Sequence, residues 1–324
     1  MSIGLVAALV LILMAEFVNG WTDSPNAIAT VVSTRVLKPQ HALFMAAALN
    51  AAGAFSGTAV AFTIGTGIVE PEVIDLTTVS AAMVAIVVWS TIAWYYGLPT
   101  SESHALVAGL SGAGLATAGP SVLLWEGWSK VLWGILFSTA LGFASGLFLM
   151  FAIYWTFARR PPELVRTLFG RLQIFSAGIM AFSHGSNDGQ KFIGVFTLAL
   201  VLGGVLPEFR VPFWVILLCA ATMALGTALG GWRIIRTMGL RLTKLEPVHG
   251  FAAETGAGFT ILLASHFGIP LSTTHTINTA IIGVGASRRL SAVRWGVVGS
   301  IATAWVLTFP ICGAIAYAVA LALR

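Results

Sequence analysis

Charged residues are scarce in this sequence, and their scarcity excludes a soluble protein. Only 9% of the 324 residues are Asp, Glu, Lys or Arg, whereas 57% are hydrophobic and the mean hydropathy is +0.92. A soluble globular domain carries about 25% charged residues. One membrane span takes about 20 apolar residues. The composition therefore predicts about ten to twelve spans and no soluble catalytic domain.

Cysteine is nearly absent as well. The two cysteines, Cys219 and Cys312, both lie inside apolar runs, which excludes a disulfide framework and a cysteine metal site. The first apolar run has no Lys or Arg before Arg35. Because a secretory signal begins with a basic segment, we expect no cleaved signal peptide.

The apolar runs predict an all-α polytopic membrane protein, because an open sheet edge is not tolerated in lipid. Most runs are long enough to cross a bilayer. The runs at 103–118, 172–183 and 275–286 are short, and short or polar-interrupted runs mark half-helices in transporters.

Basic residues predict the topology. Loops rich in Lys and Arg belong on the cytoplasmic side, and 13 of the 17 fall into five clusters: Arg35/Lys38, Arg159/Arg160/Arg166/Arg171, Arg233/Arg236, Arg241/Lys244 and Arg288/Arg289/Arg294. Acid-rich or sparsely basic loops near Glu70, Glu126 and Glu208 are assigned outside, with both termini. Five crossings then precede the second half, and this odd number predicts inverted topology.

Two motifs recur in the same order. Gly20–Asn26 matches Gly185–Lys191 in its Gly-x-x-Asp, and Gly97–His104 matches Gly268–His275 in its Pro-x-Ser-x-x-His. Asp and His are 81 residues apart in the first copy and 87 in the second. The sequence therefore predicts two inverted-topology repeats, at 1–120 and 172–290, with a linking span and loop at 121–171 and a closing span at 291–324.

Five acids lie within or against apolar runs, and an acid there is a functional hypothesis by default. Asp23 and Asp188 occupy equivalent places in the repeat, so we expect both to have a functional role; helix N-capping is a compatible alternative. The run from Ser2 to Val36 is too long for one span, and a break at Gly20–Asp23 would divide it. Glu254 is a cation or proton site, or a partner for a buried hydroxyl. Glu16 and Glu102 are weaker candidates.

The Pro-x-Ser elements supply the anion side. Proline and hydroxyl residues signal helix starts, so Thr100 or Ser101, and Ser272, should cap half-helices whose free N–H groups attract oxyanions. Lys191 either neutralises Asp188 or meets the anion. For three histidines we expect support of the hydroxyls at least as readily as direct contact with the ligand: His104, His184 and His275.

These stretches resemble the signature motifs of the PiT family of inorganic phosphate transporters, over about Glu16 to Thr308. The resemblance implies phosphate uptake coupled to sodium or protons, in a bacterial inner membrane. Two departures stand out: Thr22 replaces an Asn of many members, and Glu102 interrupts a hydroxyl stretch. We expect the phosphate ligands to be Ser101, Ser103, Gln190, Lys191, Ser272, Thr273 and Thr274. We expect the cation ligands to be Asp23, Asn26, Asn187, Asp188 and Glu254, with either sodium or a proton at Asp23 and Asp188.

Three other functions are weighed against this one. The nearest alternative is a sulfate carrier of the same family. An intramembrane hydrolase would need one asymmetric site of Ser and His, whereas the repeat contains both residues twice. In a passive anion channel, buried acids on the pathway would repel the anion. We therefore expect no enzyme and no cofactor beyond the transported sodium or proton. The expected partners are phosphate and membrane lipid, with no nucleic acid, and a homo-oligomer is compatible with the sequence.

Overall fold

The computed structural model describes residues 2–324, which are almost entirely helical. The thirteen α-helices in these residues are α1 (Ile3–Ser33), α2 (Pro39–Ala54), α3 (Ala59–Gly67), α4 (Leu76–Tyr96), α5 (Glu102–Ala118), α6 (Trp125–Phe157), α7 (Pro162–His184), α8 (Gln190–Leu202), α9 (Phe213–Leu229), α10 (Trp232–Arg236), α11 (Pro247–His266), α12 (Thr273–Arg288) and α13 (Trp295–Ala322). Within residues 2–324 the only β-pairing is an isolated bridge between Val69 and Leu123. The all-α prediction is confirmed.

Helix length and apolarity separate membrane spans from interior helices. α1, α4, α6 and α13 are each long and apolar enough to cross a bilayer. Two bent pairs, α2 with α3 at 70° and α9 with α10 at 59°, raise that number to six. α5, α8 and α12 are short and largely buried. Because other helices surround them, they need no apolar outer face.

The helices contact one another in reciprocal pairs. In the first half α1 packs on α9 and α10 of the second half, and in return α7 and α8 pack on α2 and α3 of the first. Likewise α5 packs on α13, and in return α12 packs on α6. The series α1 to α6 therefore has the same arrangement as the series α7 to α13. This is the pairing expected of two inverted repeats. The repeat boundaries at 120, 171 and 290 stay a prediction.

Residues near the two chain termini lie at the same end of the helix bundle. At one end, Asp75 before α4 lies 3.4 Å from the guanidinium of Arg324, and Leu5 of α1 lies close to the end of α8. At the other end, Glu246 before α11 lies 3.9 Å from Arg288. The side of the membrane that the end with both termini faces stays a prediction.

The predicted break at Gly20–Asp23 is wrong, because α1 is continuous over 31 residues, about 46 Å at 1.5 Å per residue. Pro25 has no N–H and leaves the carbonyl of Trp21 without its helical donor. The hydroxyl of Ser24 donates to that carbonyl at 3.2 Å. This substitute hydrogen bond lets the helix pass through the proline.

The second half has no break either. Gly185–Gly189 forms a π-helical turn that joins α7 to α8, and such turns occur frequently at functional sites. Asp23 and Asp188 are therefore helix-interior residues, and N-capping by either is wrong. The predicted half-helix at 172–183 is also wrong. α7 begins at Pro162, because the polar segment before 172 continues as helix outside the apolar core.

α5 and α12, by contrast, are short helices as predicted, with 17 and 16 residues. Small residues let α12 approach α6 closely. A Cβ atom added at Gly142 or Gly146 of α6 would overlap Thr276 or Ala280 of α12. Small residues four positions apart allow such close packing between membrane helices.

We expect the loops before and after α6 to face opposite sides of the membrane. Ser121 and Thr167 are exposed, and both native cysteines are buried. In oriented vesicles, an impermeant thiol reagent should label Ser121→Cys from outside only and Thr167→Cys from inside only. The unsubstituted protein controls for background labelling. Labelling of both cysteines from the same side would contradict the inverted topology.

Candidate functional site

The starts of α5 and α12 meet in the interior of the bundle. The hydroxyl of Ser101 accepts the backbone N–H of His104 at 3.3 Å, and that of Ser272 accepts the N–H of His275 at 3.1 Å. Both serines are therefore N-caps, as predicted. The rings of the two histidines are 4.5 Å apart, so helix starts from opposite halves are adjacent.

The first residues of α12 contact both repeated aspartates. The hydroxyl of Thr273 donates to the carboxylate of Asp188 at 2.7 Å, and that of Thr274 donates to Asp23 at 3.3 Å. The amide of Asn26 donates to Thr274 at 2.9 Å. All five side chains are buried. The helix start and the two acids thus form one polar cluster.

Lys191 connects this cluster to α5. Its ammonium group contacts the carboxylate of Asp188 and the hydroxyl of Ser103, and donates to the carbonyl of Leu271 at 2.9 Å. The side chain is 1% exposed. Pairing with Asp188, one of the two predicted roles, is therefore observed. Its ammonium group also lies beside the N-terminal turn of α5.

His184 lies against the acids, so its predicted support of hydroxyls is wrong. Its Nε2 atom is 3.1 Å from Asp188 and 4.0 Å from Asp23, because it stands four residues before Asp188. Its Nδ1 atom is 3.2 Å from the side-chain oxygen of Asn50. Ligand atoms of the histidine and both aspartates lie within 4.8 Å of one another, a spacing suited to one cation.

Asn50 was missed by the sequence analysis. It is fully buried in α2, and its amide donates to the hydroxyl of Thr227 on α9 at 3.1 Å. Asn50 therefore orients His184 from outside both repeated motifs. A single asparagine within the apolar run 41–68 was the available signal.

The rings of His104 and His275 do not support the serine hydroxyls, and that prediction is wrong. The ring of His275 stacks on Trp305 at 3.7 Å, and the ring of His104 lies 4.7 Å from Phe309. Only the backbone N–H groups of the histidines reach the serines, because in each helix they lie three residues after the cap. The rings form an apolar contact between α5 and α12, next to α13.

Asn187 and Gln190 contact the loops beside the acids. Asn187 donates to the hydroxyl of Ser265 at 2.9 Å and to the carbonyl of Ile269 at 3.2 Å. Gln190 donates to the carbonyl of Ser186 at 2.7 Å and accepts the N–H of Val60 at 3.1 Å. Both amides thus tie the π-helical turn to the bend between α2 and α3 and to the loop before α12.

Glu254 lies in a separate polar cluster. Its carboxylate contacts the hydroxyls of Thr30 and Ser176 and accepts the amide of Gln173 at 3.2 Å. Thr30 is seven residues beyond Asp23 on α1, about 10 Å along the helix. Glu254 is therefore a partner for buried hydroxyls, which is one of its predicted roles. The structure does not bring it to the aspartates, where a shared cation site would require it.

Glu16 and Glu102 are also fully buried or nearly so. Glu16 accepts the amide of Asn19 at 3.0 Å. Glu102 accepts the hydroxyls of Thr22 at 3.0 Å and Ser90 at 2.9 Å. Among residues 2–324, no lysine or arginine lies within ion-pair distance of either acid, which distinguishes them from Asp188.

Two cavities lie at the helix bends, one toward each end of the bundle. A cavity of about 310 Å³ adjoins the bend between α2 and α3 and is lined by neutral polar groups and His266. Its counterpart, of about 430 Å³, adjoins the bend between α9 and α10 and is lined by Arg233, Arg236 and Arg241. The two cavities thus adjoin corresponding helix bends of the two halves, and the first also reaches Gln190 beside the site.

Fold and site together define an integral membrane protein in which two inverted halves enclose one buried charged site. Residues 19–316 match the model of the phosphate transporter family. The chain is 48% identical over 308 residues to a "Probable low-affinity inorganic phosphate transporter" of Rhizobium meliloti, covering 94% of this chain and 92% of that one. A protein of Bacillus subtilis with the same description is 38% identical, covering 98% of each chain.

A solved structure, "The sodium-dependent phosphate transporter", superposes with a TM-score of 0.93 over 99% of both chains, at 26% identity. The chain belongs to the phosphate transporter family. Members of this family move phosphate and are not enzymes, which confirms the sequence-based prediction of a transporter.

Proposed function

We propose that this protein imports inorganic phosphate together with sodium or protons. The oxyanion lies at the starts of α5 and α12, and the cation lies between Asp23 and Asp188. The protein works as a multi-pass protein of the bacterial inner membrane, with both termini outside. The observation that carries the proposal is the meeting of two capped helix starts, one from each half, beside two buried aspartates.

Helix starts and hydroxyls supply the anion ligands. Free backbone N–H groups at a helix N-terminus bind phosphate without further help. Ser103, Thr273 and Thr274 add hydroxyl donors, and Lys191 adds a positive charge. No arginine is buried in residues 2–324, so these groups provide the coordination.

Coupling to a cation follows from charge. Moving a divalent anion inward against 100 mV costs about 4.6 kcal/mol, at about 2.3 kcal/mol per charge. Two buried aspartates would also repel a dianion strongly. A cation among the carboxylate and amide oxygens of Asp23, Asp188 and Asn26 offsets both costs, and oxygen ligands suit a hard cation such as sodium. The likeness to a sodium-dependent transporter supports this coupling.

Sulfate is the second candidate substrate, because it has the same tetrahedral shape and charge. A hydrolytic reaction finds no support in the geometry. The rings of His104 and His275 face each other and Trp305 rather than a serine hydroxyl, so neither can act as its base.

Uptake into liposomes tests the proposal directly. The purified protein should accumulate phosphate above its equilibrium level under an inward sodium or proton gradient, and accumulate sulfate less. Protein-free liposomes are the control. Equal accumulation with and without either gradient would contradict cation coupling, and preferential sulfate uptake would favour the second substrate.

Asp23→Asn and Asp188→Asn should each abolish concentrative phosphate uptake, because an amide of the same shape carries no charge to hold the cation. Size-exclusion profiles of the purified variants should show that both remain folded, with a lowered thermal midpoint for Asp188→Asn because Lys191 loses its counter-charge. Glu208→Gln, an exposed acid, is the matched control. If both aspartate variants accumulate phosphate normally under the gradient, the two acids have no part in coupling.

Ser272→Ala and Thr273→Ala should raise the half-saturating phosphate concentration by about ten- to a hundredfold. A donor lost to a buried charged acceptor costs about 1.5–3 kcal/mol, and about 1.4 kcal/mol corresponds to one decade of affinity. Ser287→Ala, at the far end of α12, should leave that concentration unchanged. Unaltered affinity in Ser101→Ala, Ser272→Ala and Thr273→Ala would show that these residues only cap helices.

A further inference from the structure

The side chains of Thr22 and Glu102 contact each other between two helices. Thr22 of α1 and Glu102 of α5 are 80 residues apart in sequence, yet the threonine hydroxyl lies 3.0 Å from the glutamate carboxyl. Ser90 of α4 donates to the other carboxyl oxygen at 2.9 Å. Each carboxyl oxygen of Glu102 is therefore hydrogen-bonded to one neutral hydroxyl.

The contact between Thr22 and Glu102 can exist in two protonation states. The hydroxyl of Thr22 lies 2.9 Å from the carbonyl of Val18 as well as 3.0 Å from Glu102, but it has only one proton to donate. When Glu102 is ionised, the hydroxyl donates to the carboxylate. When Glu102 is protonated, the acid donates to the hydroxyl, which then donates to Val18. Both states keep this contact hydrogen-bonded.

The surroundings of Glu102 offer its carboxyl group no opposite charge. Glu102 is 2% exposed, and its hydrogen-bond partners are uncharged hydroxyls. An unpaired charge is costly in such an environment. The titratable groups near it are Glu16 and Asp23 on α1, Asp188 on the π-helical turn and Cys312 on α13. Lys191 contacts the neighbouring Ser103, and His104 lies two residues further along α5.

Inverted symmetry shows what Glu102 replaces. The matching residue of the second half is Thr273, whose hydroxyl contacts Asp188. Lys191 of the second half corresponds to the neutral Asn26 of the first. The second half therefore holds a fixed positive charge and a hydroxyl, where the first half holds an amide and an acid that can gain or lose a proton.

We propose that Glu102 is a proton-binding site of the transport cycle, taking up a proton with phosphate on one side of the membrane and releasing it with phosphate on the other. This inference rests on the proposed phosphate site at the starts of α5 and α12. Glu102 stands beside Ser103 at the start of α5, where a dianion would repel an ionised carboxylate. Because binding linkage is reciprocal, phosphate then strengthens proton binding and the proton strengthens phosphate binding.

The test compares the pH dependence of phosphate affinity in liposomes, at fixed sodium and with concentration expressed as divalent phosphate. In the unsubstituted protein, the half-saturating concentration should rise as Glu102 ionises, by up to about tenfold per pH unit for one linked proton. In Glu102→Gln, which mimics the neutral acid, that rise should disappear and the low-pH affinity should persist. Glu126→Gln, an exposed acid paired with Lys130, should keep the original profile.

Two further measurements complete the test. Glu102→Thr introduces the residue of the second half and should also lose the pH dependence. Calorimetry of phosphate binding to the unsubstituted protein, in buffers of different ionisation enthalpy and at a pH where free phosphate is divalent, should show proton uptake on binding.

A Glu102→Gln variant with the original pH profile, or binding without proton uptake, would overturn the inference and leave the proposed function intact. Absence of phosphate uptake by the unsubstituted protein would instead overturn the proposed function.

Discussion

The buried ion pair between Lys191 and Asp188 is the interaction on which the centre of this protein depends. An ammonium group that is 1% exposed is tolerated only with a close counter-charge and satisfied hydrogen bonds. Lys191 finds both, and it does so by reaching Ser103 at the start of α5 and the carbonyl of Leu271 just before α12. One side chain thereby joins the π-helical turn to both short helices.

The helices that carry the two aspartates run without a break past this ion pair. The aspartates lie within helical backbone, in α1 and in the π-helical turn, and only the partners α5 and α12 begin in the interior. Hydroxyl groups permit this, as Ser24 does beside Pro25. The carboxylates thus come from continuous chain segments, whereas free N–H groups come from helix starts. The proposed cation ligands and the proposed anion ligands therefore lie on different helices that meet at one site.

The two halves share a backbone arrangement but differ in charge. The second half combines Asp188 with Lys191, whereas the first combines Asp23 with the neutral Asn26 and adds Glu102. The cavities at the helix bends differ in the same way, since only the one beside α10 is lined with arginines. Symmetry in the backbone therefore builds the site, and asymmetry in the side chains gives its two sides different chemistry.

The sequence by itself determined the class of protein, the helical fold and the pairing of the two motifs, because low charge, apolar runs and repeated spacing are local properties of a chain in lipid. The capping role of Ser101 and Ser272 was equally readable, since proline and serine act on the backbone beside them. Tertiary structure decided the rest. α1 stays continuous because the hydroxyl of Ser24 replaces the hydrogen bond that Pro25 cannot donate. Glu254 does not join the aspartates because it contacts α1 at Thr30, seven residues beyond Asp23. The contact of Thr22 with Glu102, and that of His184 with Asn50, join residues far apart in sequence, and only packing brings such residues together.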